Sequence, residues 1–124
     1  MTAFLVFETL VWLPYGLYLV FAPTFLASAT EGGVVMQNGA GITEIRAMYG
    51  GLQAALGTLC LLGLLRDRYA QPALIAVAFL TTGLFVARLY GVSVDGGLSG
   101  YTTGALVFEG ASASIAFFLL SRRA

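Results

Sequence analysis

Residues 72–93 of the chain read PALIAVAFLTTGLFVARLYGVS, a run in which Arg88 is the only charged side chain. As an α-helix this run is about 33 Å long, because each residue adds about 1.5 Å, and the hydrocarbon core of a bilayer is about 30 Å thick. A helix that is apolar on nearly every side is a poor fit to the surface of a soluble domain. The run therefore predicts a transmembrane helix.

Three other stretches are long and apolar enough to cross a membrane, near 3–26, 42–65 and 101–121. The segments between the four stretches are glycine-rich or charged, which is typical of turns. Composition agrees, because 59% of the 124 residues are hydrophobic, 10% are charged and the mean hydropathy is +0.90. We therefore predict an all-α fold, an integral membrane four-helix bundle that forms a single domain over residues 1–124.

Basic residues outside the four stretches predict how the chain crosses the membrane. Arg66 and Arg68 lie between the second and third stretches, and Arg122 and Arg123 follow the fourth, whereas the other two connections carry no basic residue. Cytoplasmic loops hold an excess of Lys and Arg. Both termini and the 66–71 loop are therefore predicted to be cytoplasmic, an N-in/C-in arrangement.

Composition also disfavours several classes of function. Six basic and six acidic residues give a net charge of zero, so we expect no nucleic-acid partner. Histidine is absent and Cys60 is the only cysteine, which removes the usual zinc and haem ligands and the imidazole-based catalytic triads. We expect no metal site, no cofactor, and membrane lipids as partners.

Charged residues inside the predicted helices are the main candidates for function. Each costs about 2.5 to 3.5 kcal/mol at a helix centre on insertion scales unless it is paired or hydrated. In the predicted orientation, Arg46, Arg88 and Glu109 all fall in the periplasmic half of the membrane, and we expect them to meet. The polar cluster predicted around them also includes Glu44, Glu8, Tyr49, Tyr90, Gln53 and Tyr15.

This polar cluster has a structural and a functional interpretation. In the first, ion pairs fix which helix faces which. In the second, two guanidinium groups converge in a cavity open to the outer leaflet and bind a carboxylate or a phosphate. Proton or ion conduction is a third interpretation, since intramembrane charges often mark such pathways.

The favoured function is a non-enzymatic membrane protein that forms oligomers or serves as an accessory subunit. Its Arg/Glu cluster would hold the bundle and bind a lipid or an anionic amphiphile. One alternative is a membrane-embedded enzyme acting on a lipidic substrate, with Glu109 or Glu8 as the general acid or base. Another is a small proton-coupled transporter, which the buried arginines disfavour because they would neutralise an acidic cation site.

Small residues and prolines predict local features of the helices. Ala47, Gly51 and Ala55 recur every four residues beside a second such row, a spacing that lets helix backbones approach closely. Pro14 predicts a kink in the first helix, and Pro23 is a candidate early end that would leave 24–29 as a short interfacial segment. The second small-residue row, beside Ala47, Gly51 and Ala55, contains Gly50 and Ala54. The fourth stretch carries a similar row with Ala105, Glu109, Ala113 and Ser112.

Two motifs carry a family resemblance. They are EIRAMYGGLQ at 44–53, and RLYG at 88–91 followed by DGG at 95–97. With them the chain resembles the DUF4345 family, a domain-of-unknown-function family of small bacterial four-span membrane proteins. The resemblance covers nearly the whole chain, its most specific part is 46–51, and Glu109 also matches it. It implies a four-helix, multi-pass protein of the bacterial inner membrane, and it implies no established activity.

Overall fold

A computed structural model describes residues 1–123 of the chain, and those residues form helices and turns with no strand. Four helical segments are long and apolar enough to cross a membrane, so the predicted all-α class with four membrane-length helices is confirmed. The helices are α1 (Thr2–Phe21), α2 (Phe25–Ala29), α3 (Gly39–Ile45), α4 (Leu52–Leu65), α5 (Ala70–Asp95) and α6 (Gly100–Arg123), with a π-helical turn at Arg46–Gly51 and a 3-10 turn at Asp67–Tyr69.

The chain divides into two compact units, Met1–Ala73 and Leu74–Ala124. The first unit contains α1 to α4 and the first turn of α5, and the second contains the rest of α5 and α6. The single-domain organisation stays a prediction.

In the first unit, α1 is shorter than the apolar stretch that contains it. It continues through Pro14 as one helix and ends at Phe21, two residues before Pro23. Proline disfavours helical dihedral angles in the residue before it, and Ala22 has left the helical region with φ −130° and ψ 62°. The residues that follow form the separate short helix α2, close to the interfacial segment expected at 24–29.

The first unit is held together by close antiparallel packing of α1 against the helix that follows α3. A Cβ atom added at Gly50 would lie 2.8 Å from the Val20 nitrogen, and one at Gly57 would lie 2.7 Å from the Leu13 Cα. Gly16 of α1 faces α4 between these two contacts, where a Cβ atom would lie 2.8 Å from the Gly50 carbonyl oxygen. The two backbones therefore touch, as small-residue interfaces in membranes allow.

The row that makes this contact is the second of the two small-residue rows in the sequence. Gly50, Ala54 and Gly57 are buried against α1, whereas the more regular row of Ala47, Gly51 and Ala55 is exposed. Both rows contain small residues at helical spacing, and only the tertiary contact decides between them. The π-helical turn also shifts the faces on either side of it, because its hydrogen bonds span five residues instead of four.

In the second unit, α5 and α6 form an antiparallel hairpin. The Phe79 and Phe117 rings pack edge to face, with centroids 5.7 Å apart. Nearer the hairpin turn, a Cβ atom at Gly110 would lie 3.1 Å from the Phe85 ring. Of the small-residue row predicted in the fourth stretch, Glu109, Ser112 and Ala113 are buried and Ala105 is half-buried.

The hairpin turn depends on two glycines of the DGG motif. Gly96 and Gly97 have φ values of 73° and 80°, in the left-handed region that other residues rarely adopt. The Gly96 N–H donates to the Val92 carbonyl at 3.0 Å, which closes the last turn of α5. The turn then places α6 antiparallel to α5.

Candidate functional site

The predicted polar cluster is distributed over both compact units. Arg88, Glu109 and Tyr90 lie in the second unit. The meeting of all three predicted charges therefore stays a prediction. The first unit contains Arg46, Glu44, Glu8, Tyr15, Tyr49 and Gln53.

An ion pair joins α5 to α6 in the second unit. The Arg88 Nε–H donates to both carboxylate oxygens of Glu109, with distances of 2.8 Å to Oε1 and 3.1 Å to Oε2. The Glu109 side chain is 4% exposed and that of Arg88 is 21% exposed. Because breaking one partner of a buried pair leaves an uncompensated charge, this contact strongly favours one register of the hairpin.

The ion pair lies inside the apolar length of both helices. Arg88 precedes the end of α5 by seven residues and Glu109 follows the start of α6 by nine, or about 10 Å and 13 Å along the axes. Phe85 packs against Gly110 one turn from the pair. The pair is thus a polar contact between helices that otherwise pack through apolar and small residues.

Tyr101 accompanies Arg88, a neighbour that the sequence analysis missed. The Arg88 guanidinium carbon lies 6.0 Å from the Tyr101 ring centroid, at the outer range of a cation–π contact. The signal was available, since Tyr101 precedes Glu109 by eight residues and so lies on the same broad face of α6. Tyr90, which was predicted to belong to the polar cluster, is 69% exposed.

Glu8 is a buried carboxyl group in α1. Its side chain is completely buried, and the Trp12 Nε1–H donates to Glu8 Oε2 at 2.6 Å. Trp12 is one helical turn after Glu8, the i, i+4 spacing at which side chains meet. Trp12 was not among the residues predicted from the sequence, although this spacing could have identified it. Cys60, also fully buried, is part of α4 in the same unit.

Other residues of the predicted cluster differ in their surroundings. The Gln53 Oε1 atom is buried and, among the residues that the structure describes, no group donates a hydrogen bond to it. Tyr15 and Tyr49 are half-buried, and Glu44 is exposed on α3. Within residues 1–123, no three acidic or cysteine residues are grouped so that they could hold a metal ion.

Arg46 is exposed and bonded to the end of α1. Its Nη1 group donates to the Val20 carbonyl, one of the last four carbonyls of α1, which have no partner within the helix. A cation is favourable there because the helix dipole places partial negative charge at the C-terminus. Within the described part of the chain, no carboxylate forms an ion pair with Arg46.

Comparisons with known proteins place this architecture in one family. No curated protein and no solved structure matches the chain. A family model described as "Domain of unknown function (DUF4345)" matches residues 1–120, a range that includes all four membrane-length helices up to the last turn of α6. The chain therefore belongs to the DUF4345 family.

Proposed function

We propose that the protein is a non-enzymatic, multi-pass protein of the bacterial inner membrane that packs against other transmembrane helices, as an oligomer or as an accessory subunit. The observation that carries the proposal is a pair of small-residue rows left open on the two units. One row is Ala47, Gly51 and Ala55, and all three residues are exposed. The other is on α5, where Gly83 and Ala87 are exposed and Gly91 is half-buried.

The contact between α1 and α4 supports this use of the open rows. Gly50, Ala54 and Gly57 let those helices meet backbone to backbone, and the open rows likewise place small residues about one helical turn apart, at intervals of four residues. A Cβ atom at Gly83 or Gly91 would meet no atom of the described residues of the second unit within 4 Å. Because lipid tails are as apolar as leucine, helices in a membrane associate through such close packing and through hydrogen bonds.

The Arg88–Glu109 pair is consistent with this function because it holds two helices in one register. It fixes α5 against α6, and Ala87, the residue next to Arg88, belongs to the open row. A hairpin held in one register presents that row as a rigid surface. The same pairing gives less support to an enzyme, because the Arg88 Nε–H already occupies an acceptor site on each Glu109 oxygen.

Native mass spectrometry of protein released from lipid nanodiscs tests the association. We expect the wild type to carry a second copy or another membrane protein, and Gly83→Leu with Ala87→Leu to lose it. Ala111→Leu is the matched control, since Ala111 is an exposed small residue of α6 outside both rows. Single copies of the wild type without a bound protein would contradict the proposal, and an unchanged count in the double variant would exclude the α5 row as the contact surface.

Lipid binding is the second candidate function, favoured by Arg46. This side chain is exposed, and its charge is not paired with a carboxylate of the described residues. We also propose the N-in/C-in orientation, which is supported by the position of Arg66 and Arg68 between α4 and α5 and of Arg122 and Arg123 in the last turn of α6.

A further inference from the structure

We propose that Arg46 binds the phosphate group of an anionic phospholipid at the membrane boundary marked by the end of α1. This inference deepens the lipid-binding candidate above and does not depend on whether the protein associates with other helices. Four observations support it: a fixed guanidinium group, unused hydrogen-bond donors, the depth of the residue and the aromatic residues at the same end of α1.

The guanidinium group of Arg46 is held in place by the protein backbone. Arg46 begins the π-helical turn, and its Nη1 group donates to the Val20 carbonyl at the end of α1. In the contact beside it, Gly50 lies against the Val20 backbone, so the two helices cannot separate without moving both groups. A ligand of Arg46 would therefore meet a positioned donor and would not have to order a free side chain.

Arg46 also keeps most of its donors. A guanidinium group has five N–H donors, and the Val20 carbonyl accepts from Nη1. Glu44 is exposed two residues earlier, but side chains two apart on a helix do not face each other, and the two form no ion pair in the described residues. The planar fork of arginine matches two oxygens of a phosphate.

The depth of Arg46 favours a lipid head group. α1 has 20 residues, a length of about 30 Å, which equals the thickness of the hydrocarbon core. The Val20 carbonyl is one residue from the end of α1, so Arg46 lies where hydrocarbon gives way to head groups. Phosphate groups are the anions present at that level.

Aromatic side chains surround the same end of α1. Tyr18 and Phe25 pack edge to face with their ring centroids 5.2 Å apart, and Phe21 between them in sequence is 80% exposed. Tyrosine is enriched where membrane meets water, because its ring is apolar and its hydroxyl is polar. These rings offer a surface to the glycerol region and upper tails of a lipid whose phosphate contacts Arg46.

Lipid retention in native mass spectrometry tests the assignment. Detergent-purified protein is mixed with dioleoylphosphatidylglycerol, with dioleoylphosphatidylcholine, or with inorganic phosphate. We expect the wild type to retain severalfold more of the anionic lipid than of the zwitterionic one, and Arg46→Gln to lose that preference. Arg46→Lys should keep part of it, because lysine retains the charge without the planar fork. Arg66→Gln is the matched control and should behave as wild type, because Arg66 is an exposed arginine between α4 and α5.

Each contrary result overturns the proposal in a different way. Equal retention of the two lipids by the wild type, or a wild-type preference in folded Arg46→Gln, removes Arg46 as a lipid site. Loss of the preference when inorganic phosphate is added would assign the site to free phosphate instead of a lipid. Arg46→Gln is replaced as the test if its helical circular dichroism shows that it does not fold. The proposal is then judged by whether the wild type prefers the anionic lipid and whether Arg46→Lys loses part of that preference. Subunit counts come from the same spectra, so failure of the association proposal is seen separately.

Discussion

The Arg88 Nε–H is shared between the two carboxylate oxygens of Glu109, at 2.8 Å and 3.1 Å, and this contact joins α5 to α6 inside the apolar length of both helices. The Phe79–Phe117 pair lies on one side of it along the hairpin and the Gly96–Gly97 turn lies on the other. The register of the hairpin is thus fixed at three levels, of which the ion pair is the only charged one in the described residues of the second unit.

The ion pair predicts a characteristic pattern of stability changes. Arg88→Met should lower the free energy of unfolding by about 3 to 5 kcal/mol, because it leaves the buried Glu109 carboxylate without its partner. Glu109→Leu should lower it by less, because the Arg88 side chain is 21% exposed. The double variant should lose less than the sum, since it removes both charges. Unfolding in mixed micelles would measure this, with Arg66→Ala as an exposed control. Additive losses in the double variant would show that the two side chains are not coupled.

The Glu8–Trp12 hydrogen bond predicts a spectroscopic signature. Trp12 is the only tryptophan and is 5% exposed, so its fluorescence should be poorly quenched by acrylamide. Glu8→Leu removes the acceptor and should shift the emission, while Glu8→Gln retains a carbonyl oxygen and should shift it less. Identical spectra for all three proteins would contradict the contact.

The backbone contact between α1 and α4 predicts sharply different outcomes for two glycine substitutions. Gly16→Ala should destabilise the protein by about 1 to 3 kcal/mol or more, because the added Cβ atom overlaps the backbone around Gly50 and Ala54. Gly104→Ala is the control, since a Cβ atom there meets no atom of residues 1–123 within 4 Å. It should be neutral or stabilising by up to about 1 kcal/mol, because alanine favours helix. Equal effects of the two changes on thermal unfolding would contradict the packing.

Sequence alone was sufficient to predict the four helices, for a physical reason. In lipid every backbone polar group must bond within the protein, so a long apolar stretch has essentially one conformation available. The end of α1 followed from the same kind of local rule, because Pro23 disfavours helical dihedral angles at Ala22. Local chemistry therefore accounts for the helices and for most of their ends.

Pairings between helices depend on contacts that no local rule specifies. Gly50 and Gly51 are adjacent glycines, yet one lies against Val20 and the other is exposed. Tyr90 and Tyr101 both lie between Arg88 and Glu109 in the sequence, so either could have been the neighbour of the ion pair. The geometry of the hairpin places Tyr101 near Arg88. The π-helical turn at 46–51 was also missed, because nothing in its sequence RAMYGG distinguishes a π-helical turn from an α-helical one.

The predicted orientation can be tested with single cysteines in a chain in which Cys60 is replaced by alanine. Gln37→Cys and Ser121→Cys place the thiol at exposed positions, one between α2 and α3 and the other in the last turn of α6. If the arginine-bearing segments are cytoplasmic, a membrane-impermeant maleimide added to intact cells should label Cys at 37 and should label Cys at 121 only after permeabilisation. The two positions control for each other, because a leaky membrane would label both. Labelling at 121 alone in intact cells would invert the topology and would place Arg46 near the cytoplasmic leaflet, where anionic lipids would still be the expected ligands of its guanidinium group.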